Sequence, residues 1–218
     1  MAEQDENAAL VCIIDDDAEV RGSLDSLLRA AGYAVRAFGG PDDYLASAEA
    51  DGAACLILDV RLQGANGLDF QQALMENEVF VPVVLITGHG DIPMTVRGMK
   101  AGAVNFLAKP FEEEALLAAV GEAVARDRQR RSADREGEDV RARHAALTPR
   151  EREVMGLVTA GLMNKQVAGK LGLSEITVKI HRGNLMRKMQ AQSLADLVRM
   201  AETLGVRDTS VTRYHSAG

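Results

Sequence analysis

Five short apolar runs, separated by segments of helical spacing, dominate the first 125 residues and leave few folds open. They read LVCII (10–14), AVRAF (34–38), ACLILD (54–59), PVVLIT (82–87) and AVNFLAK (103–109). Between the first two, Val20, Leu24, Leu27 and Leu28 recur at helical spacing over 18–30, and Gly32 stops the run. Pro41 opens a short helix to about Glu49, helices over 68–78 and 91–101 follow, and another begins near Phe111. Buried strands alternating with helices predict a parallel sheet covered on both faces, a doubly wound α/β domain. Ligands of such sheets bind beyond the carboxyl ends of the strands.

The residues at those ends are chemically specific. LVCII runs into Asp15, Asp16 and Asp17; the third run ends at Asp59, the fourth at Thr87 and the fifth at Lys109. Unpaired carboxylates repel one another and are costly to bury. Parallel strands deliver Asp15, Asp16, Asp59, Thr87 and Lys109 to one edge, where they converge on one pocket. Its hard oxygen donors suit Mg²⁺. A carboxylate beside such a cation can act as a nucleophile toward a phosphoryl group. Lys109 then supplies a point charge and Thr87 a hydrogen-bond donor. Asp17 is better suited to cap the first helix. The sequence holds no GxxxxGK[ST] loop, so the pocket reads as a phosphoryl acceptor and not a nucleotide cradle.

Charge divides the chain. Residues 1–125 carry 21 acids and 7 bases, net −14, and residues 126–218 carry 11 acids and 18 bases, net +7. The contrast predicts two domains with different partners, the basic one suited to nucleic acid. Between them, RDRQRRSADREGEDVRARH (126–144) has no apolar stripe. It is either a solvated helix extending the fifth one or a flexible linker, and Gly137 speaks against an unbroken helix.

Four helical segments follow. LTPREREVMGLVTAG has Thr148 as cap, Pro149 at the first helical position and Glu151 three residues after the cap, which makes a capping box. NKQVAGKLG is read as capped by Asn164, EITVKIHRGNLMRKMQ by Ser174 and LADLVRMAETLG by Ser193, with a loose tail over 207–218. In the third of these helices Val178, Leu185 and Met189 share an inward face. Thr177, Lys179, Arg182 and Arg187 are left outward, with Ile180 and Gly183 beside them. Such a helix can enter a major groove. Lys179 would read a guanine edge and Ile180 a thymine methyl, while Lys165, Arg182, Arg187 and the helix N-terminus at Asn164 hold phosphates.

No apolar run approaches the ~18 residues of a membrane span, and the start MAEQDENAAL has no apolar signal core, so a cytoplasmic protein with no membrane partner is expected. Cys12 and Cys55 lie in apolar runs and read as reduced core thiols.

IIDDD, LILDVRL, VVLITGHGD and AVNFLAKPF, in that order, resemble the receiver domain of two-component response regulators, a five-stranded flavodoxin/CheY-like sheet, over 9–125. LTPREREVMGLVTAG, NKQVAGKLGLS and TVKIHR resemble the LuxR-type helix-turn-helix. The pairing is that of the NarL/FixJ family, and ITGHGDIPM and AGAVNFLAKPF lie nearest its FixJ branch. The resemblance implies a receiver over 9–125, a charged linker over 126–144 and an all-α four-helix DNA-binding domain over 145–206.

It also implies roles. Asp59 is the phosphoacceptor. Mg²⁺ is held by Asp16, Asp59 and the backbone carbonyl of Arg61, with Asp15 acting through a metal-bound water. Lys109 pairs with the phosphoryl group, and the Lys109–Pro110 bond is cis. Thr87 moves toward the phosphate, and Phe106 swings inward behind it. A sensor histidine kinase is the donor, phosphorylation gives a homodimer on double-stranded promoter DNA, and RNA polymerase is a further partner. The chain is then no turnover enzyme beyond accepting the phosphoryl group at Asp59 and losing it again.

The family's usual Met-Pro after the acceptor strand is replaced by Leu62 and Gln63, which predicts a more mobile loop. Arg61 and His89 flank the pocket where relatives tune hydrolysis. Two other readings stay open: a constitutive DNA binder whose receiver responds to partner contact alone, and a Mg²⁺-dependent aspartyl-phosphate phosphohydrolase with a basic appendage.

Overall fold

The structure is a computed structural model and describes residues 8–88 and 90–206, the side chain of Asp51 apart. His89 and the tail 207–218 lie outside the described residues. The chain divides into two compact units at Arg131/Ser132.

Period-two alternation sorts the first unit's core into two layers. β1 (Leu10–Ile14) sends Val11 and Ile13 to one face and Cys12 and Ile14 to the other. The first face is covered by α1 (Ala18–Ala30) through Leu24 and Leu28. β2 (Ala34–Phe38) precedes α2 (Pro41–Leu45), whose Tyr44 is fully buried in the second layer. β3 (Cys55–Asp59) is followed by the two-residue strands β4 (Arg61–Leu62) and β5 (Ala65–Asn66). Then come α3 (Gly67–Glu76), β6 (Val83–Thr87), α4 (Ile92–Lys100), β7 (Asn105–Ala108) and α5 (Glu113–Ala145). Leu68 and Leu74 of α3 join Tyr44 in the second layer, while Leu116, Ala119, Val120 and Ala123 of α5 join α1 in the first.

The strand order is β2-β1-β3-β6-β7, and every neighbouring pair is parallel. The winding reverses between β1 and β3, which opens a crevice beyond their carboxyl ends. Both cysteines are buried free thiols, and burial pushes the Cys12 thiol up to about 11, so it stays protonated.

One local expectation needs correction. α2 stops at Leu45 and not near Glu49, because the Ser47 hydroxyl and N–H both bond the Tyr44 carbonyl and draw the chain off the helical path. The loop after β3 is closed by a small hairpin: β4 and β5 pair antiparallel, with Arg61 opposite Asn66 and Leu62 opposite Ala65. Gly64, at φ +80°, makes its turn.

α5 is continuous through Gly137, so the charged segment 126–144 is helical. A helix-interior glycine costs roughly 1 kcal/mol. Ion pairs offset it: Arg126 with Glu122, and Arg130 and Arg131 with the buried Asp127. Its last turns belong to the second core, where Val140 is buried.

The second unit adds α6 (Pro149–Thr159), α7 (Asn164–Leu171), α8 (Glu175–Met189) and α9 (Leu194–Leu204). Val154, Met155, Val158, Val167, Val178, Leu185, Met189, Leu197 and Ala201 make one core. The Thr148–Glu151 capping box forms as its spacing predicts. Glu151 is buried and also takes Lys188 Nζ at 2.8 Å. Burial alone would raise its carboxyl, yet Lys188 and Thr148 outweigh burial and hold it below the usual carboxylate range. Asn164 is the first residue of α7 and not its cap. The cap position is Met163, whose N–H donates to Gln166 Oε1 at 2.8 Å. Gly172, at φ +65°, ends α7 in the turn to α8.

Two outcomes follow. Glu151→Gln keeps a neutral cap but leaves Lys188 unpaired, so it lowers stability at pH 7 by about 1–3 kcal/mol. A depressed carboxyl stabilises above its unfolded value and loses that contribution on acidification, so the gap to wild type closes below about pH 4; thermal unfolding of both chains across pH reads it. At Gly67 a Cβ would lie 2.2 Å from the Asp59 carbonyl oxygen, so Gly67→Ala must displace α3 from the end of β3. A loss of about 1–3 kcal/mol is expected in chemical denaturation, and an unchanged midpoint would contradict the close approach.

Candidate functional site

The crevice at the switch point holds the predicted pocket residues. Asp15 and Asp16 follow β1, Asp59 ends β3, Thr87 ends β6 and Lys109 follows β7. Asp15 and Thr87 are fully buried and Asp59 nearly so. Lys109 Nζ lies 2.7 Å from Asp15 Oδ2 and 2.6 Å from Asp59 Oδ2, bridging two carboxylates from adjacent strands. The remaining oxygens are satisfied locally: Asp15 Oδ1 accepts the Asp17 N–H at 2.9 Å and Asp59 Oδ1 the Arg61 N–H at 2.8 Å. Carboxylate oxygens of Asp15, Asp16 and Asp59 lie within 4.8 Å of one another, close enough to share one cation.

Burial pushes the Asp15 carboxyl up, and hydrogen bonds from Lys109 and Asp17 pull back without cancelling it. Burial likewise pulls Lys109 down, but its bonds to Asp15 and Asp59 outweigh that and raise it, keeping the ammonium charged. Asp17 does cap α1, its Oδ1 accepting the N–H groups of Glu19 and Val20. The Lys109–Pro110 bond is cis. Phe106 is half-buried and packs against the layer containing Leu85 and Leu68. Arg61 is exposed beside the pocket, and His89 falls outside the described residues.

Two supports escaped the sequence pattern. Arg21 Nη1 donates to the Asp15 carbonyl at 2.6 Å and so anchors the loop carrying the acids. Its signal was a lone arginine in the first turns of a helix that begins at an acidic strand end. Gly67 gives α3 room against Asp59, and its signal was an Asn-Gly pair opening a helix.

The second unit presents its candidates unevenly. Lys165, Lys179, Ile180, Gly183 and Arg187 are exposed. Thr177 and Arg182, expected outward, are half-buried. The Thr177 N–H and hydroxyl are held by the capping Ser174, and Arg182 Nη1 donates to Asn164 Oδ1 at 3.1 Å, tying α8 to α7. Ile176, not singled out by its pattern, is 75% exposed. Among the described residues no helix is long and apolar enough to cross a membrane.

Comparisons with known proteins agree with this division. Residues 11–121 match the response regulator receiver domain model, and residues 145–201 match that of bacterial regulatory proteins of the luxR family. Nodulation protein W of Bradyrhizobium diazoefficiens is 54% identical over 198 residues, 91% of this chain and 87% of that one. Transcriptional regulatory protein FixJ of the same organism is 39% identical over 196 residues, 90% of this chain and 96% of that one. The solved structure of the response regulator StyR superposes with a TM-score of 0.80 at 45% identity, covering 89% of this chain and 98% of that one. Receiver, LuxR-type helices and relatives together place the chain in the NarL/FixJ-type family of two-component response regulators that control transcription.

Proposed function

We propose that Asp59 accepts a phosphoryl group from a sensor histidine kinase and that the modification controls DNA binding by the second unit. The observation that carries this is the Lys109 ammonium lying across Asp15 and Asp59 at the switch point of the sheet. One oxygen of Asp59 attacks the phosphorus of a phosphohistidine. The O–P bond forms as the P–N bond breaks, and the imidazole leaves. The Arg61 N–H holds the other carboxylate oxygen and so orients the nucleophile.

The carboxylates of Asp15, Asp16 and Asp59 fit Mg²⁺, being all hard oxygen and net negative, and the Arg61 backbone carbonyl would be the further oxygen ligand. When bound, that ion neutralises charge developing on the transferred oxygens. Lys109 follows the new phosphoryl oxygens, and the Thr87 hydroxyl donates to one of them. Thr87 and Phe106 then relay the change to the α4–β7–α5 side, and the phosphorylated protein forms a homodimer. The paired second units grip promoter DNA, with RNA polymerase as the further partner.

On that DNA, α8 enters the major groove. Lys179 faces base edges, and Lys165 and Arg187 face phosphates. Arg182, bonded to Asn164, supports the helix pair and contacts the backbone only at its margin. Gly183 lies on the same exposed side as Ile180.

Intact mass after incubation with Mg²⁺ and acetyl phosphate tests the acceptor. Wild type gains one phosphoryl group, Asp59→Asn gains none, and Lys109→Ala gains it about 10²-fold more slowly. An adduct on Asp59→Asn would assign the chemistry elsewhere. Salt titration of DNA binding sorts the contacts. Lys165→Ala should flatten the slope of log affinity against log salt by about one for every sequence, while Lys179→Ala costs about 1–3 kcal/mol on the preferred sequence.

A further inference from the structure

The outward ridge of α8 is apolar where a merely solvated helix would be polar. Ile176 is 75% and Ile180 59% exposed. At roughly 100° per residue, Ile176, Ile180, Gly183 and Arg187 fall on the side opposite the buried line Val178, Leu185 and Met189. Isoleucine gains nothing there from the fold: it is a poorer helix former than the long polar residues, and its apolar surface stays in water. Gly183 repeats the anomaly. A Cβ at this position meets nothing within 4 Å, so no internal packing asks for glycine in the middle of the helix. Lys179 stands beside the ridge and Arg187 closes it, both exposed cations. An apolar, bare-backed ridge bounded by cations matches a surface that is anionic at its borders and carries apolar groups on its floor.

We propose that Ile176 and Ile180 read the C5-methyl groups of two thymines, and that Gly183 is bare so that the α8 backbone can approach the floor of the groove. The proposal deepens, and rests on, the DNA-binding reading above. The thymine methyl is the one apolar feature that base edges offer in the major groove. Residues four apart on a helix are separated by about 6 Å along its axis. Base pairs repeat every ~3.4 Å, so the two thymines stand one or two steps apart. Burying one methyl is worth about fourfold in affinity.

The test begins with the full-length phosphorylated protein and a pool of random duplexes. The enriched duplex is then remade with deoxyuridine for thymidine at each position in turn, which removes the methyl and keeps the base pairing. Wild type should lose about fourfold at two positions one or two steps apart. Ile176→Ala should be indifferent to uracil at one of them and Ile180→Ala at the other. Gly183→Ala should raise the melting temperature, since alanine is the better helix former, and at the same time weaken binding to every enriched duplex. Uracil duplexes bound as tightly as thymine ones, or a Gly183→Ala protein that binds like wild type, would overturn the proposal and assign the ridge to an apolar protein surface. A pool that yields no enriched duplex would overturn instead the DNA-binding reading on which it rests.

Discussion

One ammonium group holds the receiver pocket together. β1 and β3 are neighbours, so Asp15 and Asp59 emerge side by side at the end of two apolar strands. Two carboxylates there would repel each other in a medium that hydrates neither. Lys109, supplied by the loop after β7 on the far side of β6, bonds to both. The pairing brings the outermost strand's loop back to the centre of the sheet. It also leaves the pocket responsive: whatever adds negative charge at Asp59 competes with Asp15 for the same ammonium.

The three consecutive aspartates have three different surroundings, set by the direction in which the chain leaves the strand. Asp15 continues the strand inward and is fully buried, Asp16 is half-exposed at the mouth, and Asp17 turns back to cap α1. Arg21 on the next turn of α1 binds the Asp15 carbonyl, so the helix that Asp17 starts also secures the loop that presents Asp15. A cluster that looks redundant in the sequence is a division of labour in the fold.

Periodicity made the sheet legible, because buried parallel strands are short continuous apolar runs and their ends must share an edge. The five strand-end residues could therefore be assembled without coordinates. Contacts between distant segments carry no such period. Nothing local to Glu151 announces Lys188, 37 residues on, and nothing local to Gly67 announces the Asp59 carbonyl. The α5 extension was ambiguous for another reason: its stability comes from spaced ion pairs and from Val140 at its far end, and not from an apolar stripe. Arg182 stands four residues after Val178 and three before Leu185, so helical spacing puts it beside the inner line of α8; what the spacing does not announce is Asn164, which accepts from it across the helix pair.

α8 shows how stability and recognition divide a single helix. Its inner line, Val178, Leu185 and Met189, is fully buried, and Lys188 on its flank closes the ion pair with Glu151. Each of these residues is explained by a contact within the unit. On the outer line Ile176, Ile180 and Gly183 are not so explained: two exposed isoleucines and a glycine with empty space above it. Natural sequences keep locally unfavourable choices where function requires them. The inner side holds the helix with enough margin to carry an outer side chosen for something other than folding. For a helix that must be rigid before it meets its partner, that separation of faces is the simplest arrangement, since neither face constrains the composition of the other.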